Sequence, residues 1–280
     1  MRTRYILKRG VIYVILICSL TGFLFPFYLL VVNAFKRNAD IIEAPAALPS
    51  SIQFSHFVTV IREMDYVHSF VNSLLITGAS LVFILLFSAM AAHYFVRNNT
   101  RGNQLIFFMM VASMIIPFQA IMIPLVSLYG NHLGWISNAP RLTLIFMYIG
   151  FGSSLAVFIF HGFIKSVPRE LEEAAYIDGC NRWQSFFKVV APILKPTSVT
   201  IGILNVLWIW NDFLLPVLIL QNAGKDKLTL PLAIQVFKGS YTSDFEKFLP
   251  AVLLVILPIL IVYIFAQRYI IQGVTQGAVK

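Results

Sequence analysis

The side chains able to do chemistry are few and widely separated. Asp212 interrupts an apolar stretch at 196–220 with Asn211 beside it, and Asn72, Gln119 and Asn205 are further polar residues within apolar runs. A carboxylate surrounded by hydrocarbon must face protein, water or a charged partner, and the adjacent amide adds donors and an acceptor. This set can hydrogen-bond a passing solute or hold helices together. For Asn211 and Asp212 the favoured expectation is structural, capping or cross-linking a broken helix that Pro216 helps to end. No carboxylate pair, metal cluster or nucleophile with its base recommends a reaction. His93 and His161 have no metal spacing, and Cys18 and Cys180 suggest no structural disulfide. No Gly-x-x-x-x-Gly-Lys-Ser/Thr run is present. The expected catalytic, cofactor and metal residues are therefore none.

The elements that must position these groups belong to a membrane. Hydrophobic residues make up 59% of the 280 and charged residues 12%, against about 25% charged in an ordinary soluble domain. The intervals 10–35, 66–96, 102–140, 142–164 and 248–267 contain no Lys, Arg, Asp or Glu. Each has room for the roughly 20 helical residues that cross a bilayer, and 196–220 qualifies apart from Asp212. The expectation is an all-α polytopic membrane protein with six spans near 11–34, 69–96, 104–129, 142–164, 196–220 and 248–268. They form one transmembrane domain, 11–280, after an N-terminal tail, 1–10. The first stretch is read as a retained helix, because its apolar run is long for a signal core. Pro117 and Pro124 should bend the third, and 36–65 should be a surface connection with one short element.

Net charge is +9, and the basic residues are spread along the chain, which suits anionic lipid better than nucleic acid. With the N-terminus inside, Arg2, Arg4, Lys8 and Arg9, then Arg97 and Arg101, then Lys165, Arg169, Arg182, Lys188 and Lys195, and finally Arg268 and Lys280 fall on the inner side. Both termini are thus expected in the cytoplasm.

The segment 168–192 stands out among the connections. Pro168 can open a helix, Glu170, Glu172 and Glu173 place negative charge at its positive end, and Gly179 permits a sharp turn. Trp183, Phe186, Phe187 and Val190 then recur at helical spacing as one apolar face. Two helices joined by a turn could couple mechanically to a cytoplasmic protein or merely cap the helices at the interface. The loop's basic residues are nearly balanced by its acidic ones, which disfavours DNA binding.

Glu173-Ala174-Ala175, Gly179 after three intervening residues, and Val189-Val190-Ala191-Pro192 after nine more resemble the EAA motif of ATP-binding-cassette importer permeases. Val189 and Ala191 depart from the usual Ile-x-Leu-Pro ending but remain apolar. Pro26-Phe27, Asn72-Ser73, Ala91-Ala92-His93-Tyr94, Ile123-Pro124-Leu125, Trp210-Asn211-Asp212-Phe213 and Gly277-Ala278-Val279-Lys280 extend the resemblance to MalG-type carbohydrate permeases.

The resemblance implies half of a translocation pathway in a prokaryotic inner membrane. It implies a second related permease subunit, two copies of a cytoplasmic nucleotide-binding ATPase that hold ATP and Mg2+, an extracytoplasmic solute-binding protein, and a carbohydrate substrate. Glu173, Ala174, Ala175, Asp178 and Gly179 would dock on the ATPase, and Trp183, Phe186, Phe187, Val190 and Pro192 would pack the loop. Residues 276–280 could also reach the ATPase. Tyr148, Phe151, Trp208 and Trp210 could meet a sugar face, although ordinary packing is the stronger expectation for each. Another solute, such as a phosphorylated polyol, stays open within the family. An ATPase-independent channel or secondary transporter leaves the motif unexplained.

Overall fold

A computed structural model describes the backbone of residues 2–238 and 244–278 and the side chains of 9–238 and 244–267. The terminal contact expected of 276–280 lies outside the described side chains. No sheet forms among the described residues. Helix α1 (Arg2–Asn33) starts within the basic segment, and two short helices, α2 (Asn38–Glu43) and α3 (Ser55–Glu63), occupy the connection that follows, one more than expected. In α4 (Tyr66–Arg97) the buried face includes Ser73, Ser80, Ile84, Ser88 and Ala92. Small residues suit such a face, because lipid is as apolar as a helix surface and close backbone approach must drive packing.

Helix α5 (Arg101–Ser113) begins on Thr100, whose Oγ1 accepts from Asn103 N at 3.2 Å. The chain breaks after it, and α6 (Phe118–Val126) continues into a π turn, Ser127–His132, at 100° to α5. One bent helix was expected over 104–129. The turn is sharper because Pro117 flanks α6 in an extended conformation, ψ 133°, lacks an N–H, and disfavours helical backbone in the residue before it. Pro124 lies inside α6.

After α7 (Trp135–Asn138), α8 (Pro140–Ile164) opens on Pro140, where a missing N–H costs nothing. The 168–192 loop comprises α9 (Glu170–Ile177), α10 (Arg182–Ser185), a π turn (Phe186–Val190) and α11 (Ala191–Ile193). Then come α12 (Lys195–Asn211), α13 (Leu214–Leu220), α14 (Leu230–Ala233) and α15 (Phe245–Ala278). Among the described residues four stretches, Arg9–Asn33, Tyr66–Arg97, Pro140–Ile164 and Phe245–Gln267, are long and apolar enough to cross a bilayer. Two bent pairs, Arg101–Ser113 with Phe118–His132 and Arg182–Ile193 with Lys195–Asn211, bring the count of spans to as many as six.

The chain divides into two compact units. In the first, residues 1–66 and 234–258, Lys36 is buried and its Nζ donates to Asn33 Oδ1 at 3.0 Å and to the carbonyls of Ala44 at 2.9 Å and Pro45 at 3.3 Å. A buried ammonium needs acceptors on all sides, and these fold the segment after α1 back onto its end. Glu246, at the start of α15, accepts from Asn38 N at 3.0 Å and lies 3.0 Å from His56 Nε2.

The second unit, 67–233 and 259–280, holds a core that includes Ile84, Leu144, Tyr148, Phe160, Ile201 and Leu220. Gly152 lets α4, α8 and α12 meet. A Cβ there would stand 2.6 Å from Ile84 Cδ1 and 2.7 Å from Asn205 Oδ1.

Candidate functional site

The second unit carries two sets of candidate residues, one on the 168–192 loop and one among its apolar helices. In the loop, α9 has Glu170, Glu172 and Glu173 in its first turn, where the helix dipole favours negative charge. Only Glu172 turns inward, at 5% exposure. Its Oε1 accepts from Arg97 Nε at 2.6 Å, and its Oε2 lies 2.9 Å from His93 Nε2. Arg97 also donates to Val167 O at 3.1 Å. His93 and Arg97 are four residues apart and share one face of α4. A buried carboxylate thus fixes α9 to the end of a membrane-crossing helix. That spacing, together with the three glutamates in the first turn of α9, signals an ion pair between the two helices without saying which glutamate makes it.

The opposite face of α9 is open. Glu173, Ala174, Asp178 and Gly179 are exposed, as is Ile177 at 87%, whereas Ala175 is buried. Gly179 adopts φ +84°, a left-handed conformation that glycine enters without steric cost. It allows Cys180 N to donate to Ala175 O at 2.9 Å and Gly179 N to donate to Tyr176 O at 3.0 Å, satisfying carbonyls that a helix end leaves free.

The chain restarts on a reciprocal cap. Asn181 Oδ1 accepts from Gln184 N and Gln184 Oε1 from Asn181 N, each at 2.9 Å. Of the residues expected to pack the loop, Phe186 and Val190 are buried, while Trp183, Phe187 and Pro192 are exposed. The π turn at 186–190 has a wider repeat than an α-helix, so side chains placed in register by a 3.6-residue period diverge. Phe186 packs on His93, ring centres 5.3 Å apart. A cavity of about 500 Å³ lies beside this contact, lined by Tyr94, Glu172, Tyr176 and Trp183 among others.

Within the apolar helices the polar candidates separate by role. Asp212 ends α12 in an extended conformation, and its Oδ1 accepts from Leu214 N at 3.1 Å in the first turn of α13. Its Oδ2 accepts from Tyr148 OH at 2.9 Å. Asp212 therefore caps one half of a broken helix and cross-links it to α8, and Pro216 lies in the first turn of α13. Asn211 is exposed and donates to Leu207 O at 2.7 Å. Asn72 is buried, its Nδ2 donating to Asp226 O at 2.7 Å and Leu228 O at 3.1 Å. It ties α4 to the loop before α14.

Asn205, also buried, lines a cavity of about 390 Å³ beside the break between α5 and α6, with Ser113, Phe151, Ser154 and Trp208. Ser113 Oγ and Ser154 Oγ are 3.0 Å apart there. Gln119 is exposed on α6. Among the aromatics, Tyr148 and Trp210 are buried, Trp210 edge-on to Phe70. Trp208 is 43% exposed and stands edge-on to Tyr148. His161 stacks on Phe107, ring centres 3.9 Å apart. No group of three or more His, Cys, Asp or Glu converges as a metal site among the described residues.

This architecture has known counterparts. The chain is 38% identical over 255 residues to the probable starch degradation products transport system permease protein AmyC of Thermoanaerobacterium thermosulfurigenes, covering 91% of each chain. It is 32% identical over 256 residues to the melibiose/raffinose/stachyose import permease protein MelC of Bacillus subtilis, again with 91% of each covered. Its fold is shared with a chain in the crystal structure of a bacterial ABC transporter involved in the import of the acidic polysaccharide alginate, with a TM-score of 0.79, 24% identity, and coverage of 96% of this chain and 98% of that one. A family model described as the binding-protein-dependent transport system inner membrane component matches residues 84–276. That match takes in α9, its turn and both bent pairs, and the chain belongs to this family of multi-pass, non-catalytic inner-membrane transport subunits.

Proposed function

We propose that the chain forms half of the translocation pathway of an ATP-driven carbohydrate importer and is moved through its 168–192 loop by a partner ATPase. The observation that carries this reading is the two-sided construction of α9. Glu172 anchors one face to α4, while Glu173, Ala174, Ile177, Asp178 and Gly179 leave the other face open. A rigid link behind a free surface suits transmission of force, since a conformational change follows only from contacts that differ between states.

Glu173, Ala174, Asp178 and Gly179 are assigned to the ATPase contact. Ala175, buried behind them, sets the spacing between that contact and the membrane helices. The ATPase, in two copies, holds ATP and Mg2+; this chain holds neither. A second related permease completes the route, and an extracytoplasmic binding protein delivers solute. The choice of a sugar or oligosaccharide is supported by relatives that span nearly the whole chain and are named for starch products, for melibiose, raffinose and stachyose, and for arabinooligosaccharides.

The cavity beside the helix break is assigned to the pathway, with Asn205 and the Ser113 and Ser154 hydroxyls as hydrogen-bonding groups and Trp208 as a ring that can lie against a sugar. Backbone outside a helix is tolerated at membrane depth where it lines such a cavity. Asp212 and Asn72 are assigned to structure, because their hydrogen bonds join elements of the chain itself.

The test is reconstitution of the chain in proteoliposomes with its partner permease, ATPase and binding protein. Solute uptake and solute-stimulated ATP hydrolysis should appear together over a panel of oligosaccharides. Uptake by this chain alone, unchanged by adding the ATPase, would overturn the reading.

A further inference from the structure

A cavity of about 760 Å³ lies at the end of the second unit where α4 finishes, α5 begins and α8 finishes. We infer that this cavity binds the phosphodiester headgroup of an anionic phospholipid of the cytoplasmic leaflet. Three basic residues, Arg97, Lys165 and Arg169, line it against one carboxylate, Glu170. Arg97 already serves Glu172 and Val167. Lys165 and Arg169 are exposed, and the side chain of neither makes a hydrogen bond or ion pair among the described residues. The polar rim continues in Asn103 and Gln104, in the first turn of α5, which adds the positive end of a helix dipole to the same concavity.

The neighbouring surface selects among anions. Phe107 and Phe108 form an apolar wall. Along the same helix α5 exposes Leu105 at 61%, Phe108 at 63% and Met109 at 55%. A cationic hollow opening onto a helix whose outer side is apolar matches an amphiphile, with its headgroup in the hollow and its acyl chains along α5. A free phosphate would use only the hollow. An acidic protein segment would have no use for the apolar side. Basic pockets between membrane helices on the cytoplasmic side bind anionic headgroups on this principle.

Native mass spectrometry of the purified full chain, titrated with phosphatidylglycerol or phosphatidylcholine, tests the assignment. The chain should retain phosphatidylglycerol preferentially. The double variant Lys165→Ala/Arg169→Ala should weaken that retention by about fivefold per cation, roughly 25-fold in all. Lys188→Ala, exposed on the loop and outside the cavity, should leave it intact. Both cations are exposed, so the variant should fold, and unchanged helical circular dichroism checks that.

Equal retention of both lipids, or a preference unaffected by the double variant, overturns the inference. Displacement of phosphatidylglycerol by excess inorganic phosphate overturns it in favour of a soluble anion. Loss of ATPase binding in the double variant with lipid preference unchanged overturns it in favour of a protein contact.

Discussion

Glu172 and Arg97 lie 75 residues apart in sequence and 2.6 Å apart in space, joining the first turn of α9 to the last turn of α4. Both side chains are largely out of solvent, at 7% and 14% exposure. Removing one partner strands the other's charge, whereas removing both leaves no uncompensated charge. Glu172→Ala should therefore cost about 3 kcal/mol, and Glu172→Ala/Arg97→Ala less than the sum of the two single changes. Thermal unfolding of the detergent-solubilised chain measures the cycle. Hydrogen exchange in α9 should rise most in the single variants. Strict additivity would mean that the pair does not hold α9.

The turn after α9 makes a separable prediction, because the space around Gly179 is open. No heavy atom stands within 4 Å of a Cβ built there, so the constraint is φ +84° and not crowding. Gly179→Val should cost about 1–2 kcal/mol in local backbone strain and shift the turn assigned above to the proposed ATPase contact. Gly179→Asn, which tolerates the left-handed region, should keep more of it. The measurement is ATPase pull-down with the chain in nanodiscs, with membrane insertion unchanged in both variants. Equal binding by the Val variant and the wild type would remove the turn from the docking surface.

What composition made legible was the set of apolar stretches, because the cost of burying charge is paid residue by residue and can be read along the chain. The Gly179 turn was legible for a similar reason, since a left-handed residue is a local requirement. The partner of Glu172 was not, because three acidic residues share the first turn of α9 and only tertiary packing decides which turns inward. The apolar face at Trp183, Phe186, Phe187 and Val190 was only half legible, since a 3.6-residue period presumes an α-helix and the chain inserts a π turn there. The 100° break before Pro117 shows the same limit. A proline predicts disruption, but the angle depends on what each half packs against.

Tyr148 and Asp212 carry the third prediction. The phenol donates to Oδ2 at 2.9 Å while Leu214 N occupies Oδ1. Tyr148→Phe should leave the backbone of the break in place but cost roughly 1.5–3 kcal/mol, as expected for a lost hydrogen bond to a carboxyl group. Asp212→Asn keeps an acceptor for Leu214 N and should cost less than Asp212→Leu, which removes both contacts. Midpoint temperatures of the four purified proteins, including wild type, would rank them. A Leu variant as stable as the Asn variant would deny Asp212 its structural task.

The last prediction concerns Gly152, where helix packing and the proposed pathway meet. A methyl group there would come within 2.6 Å of Ile84 Cδ1 and 2.7 Å of Asn205 Oδ1, closer than van der Waals contact, and both neighbours are buried. Both of them, or the backbone at 152, must move. Gly152→Ala should cost roughly 1–3 kcal/mol, the usual range for overpacking. Asn205 lines the cavity beside Ser154 and Trp208, so the displacement should also lower solute uptake by the reconstituted importer. Ser154→Ala removes a cavity hydroxyl with little change in packing, and it should reduce uptake while leaving thermal stability nearly unchanged. If Gly152→Ala lowers stability and Ser154→Ala leaves uptake untouched, the cavity is a packing feature of α8 and α12 and not a place where solute passes.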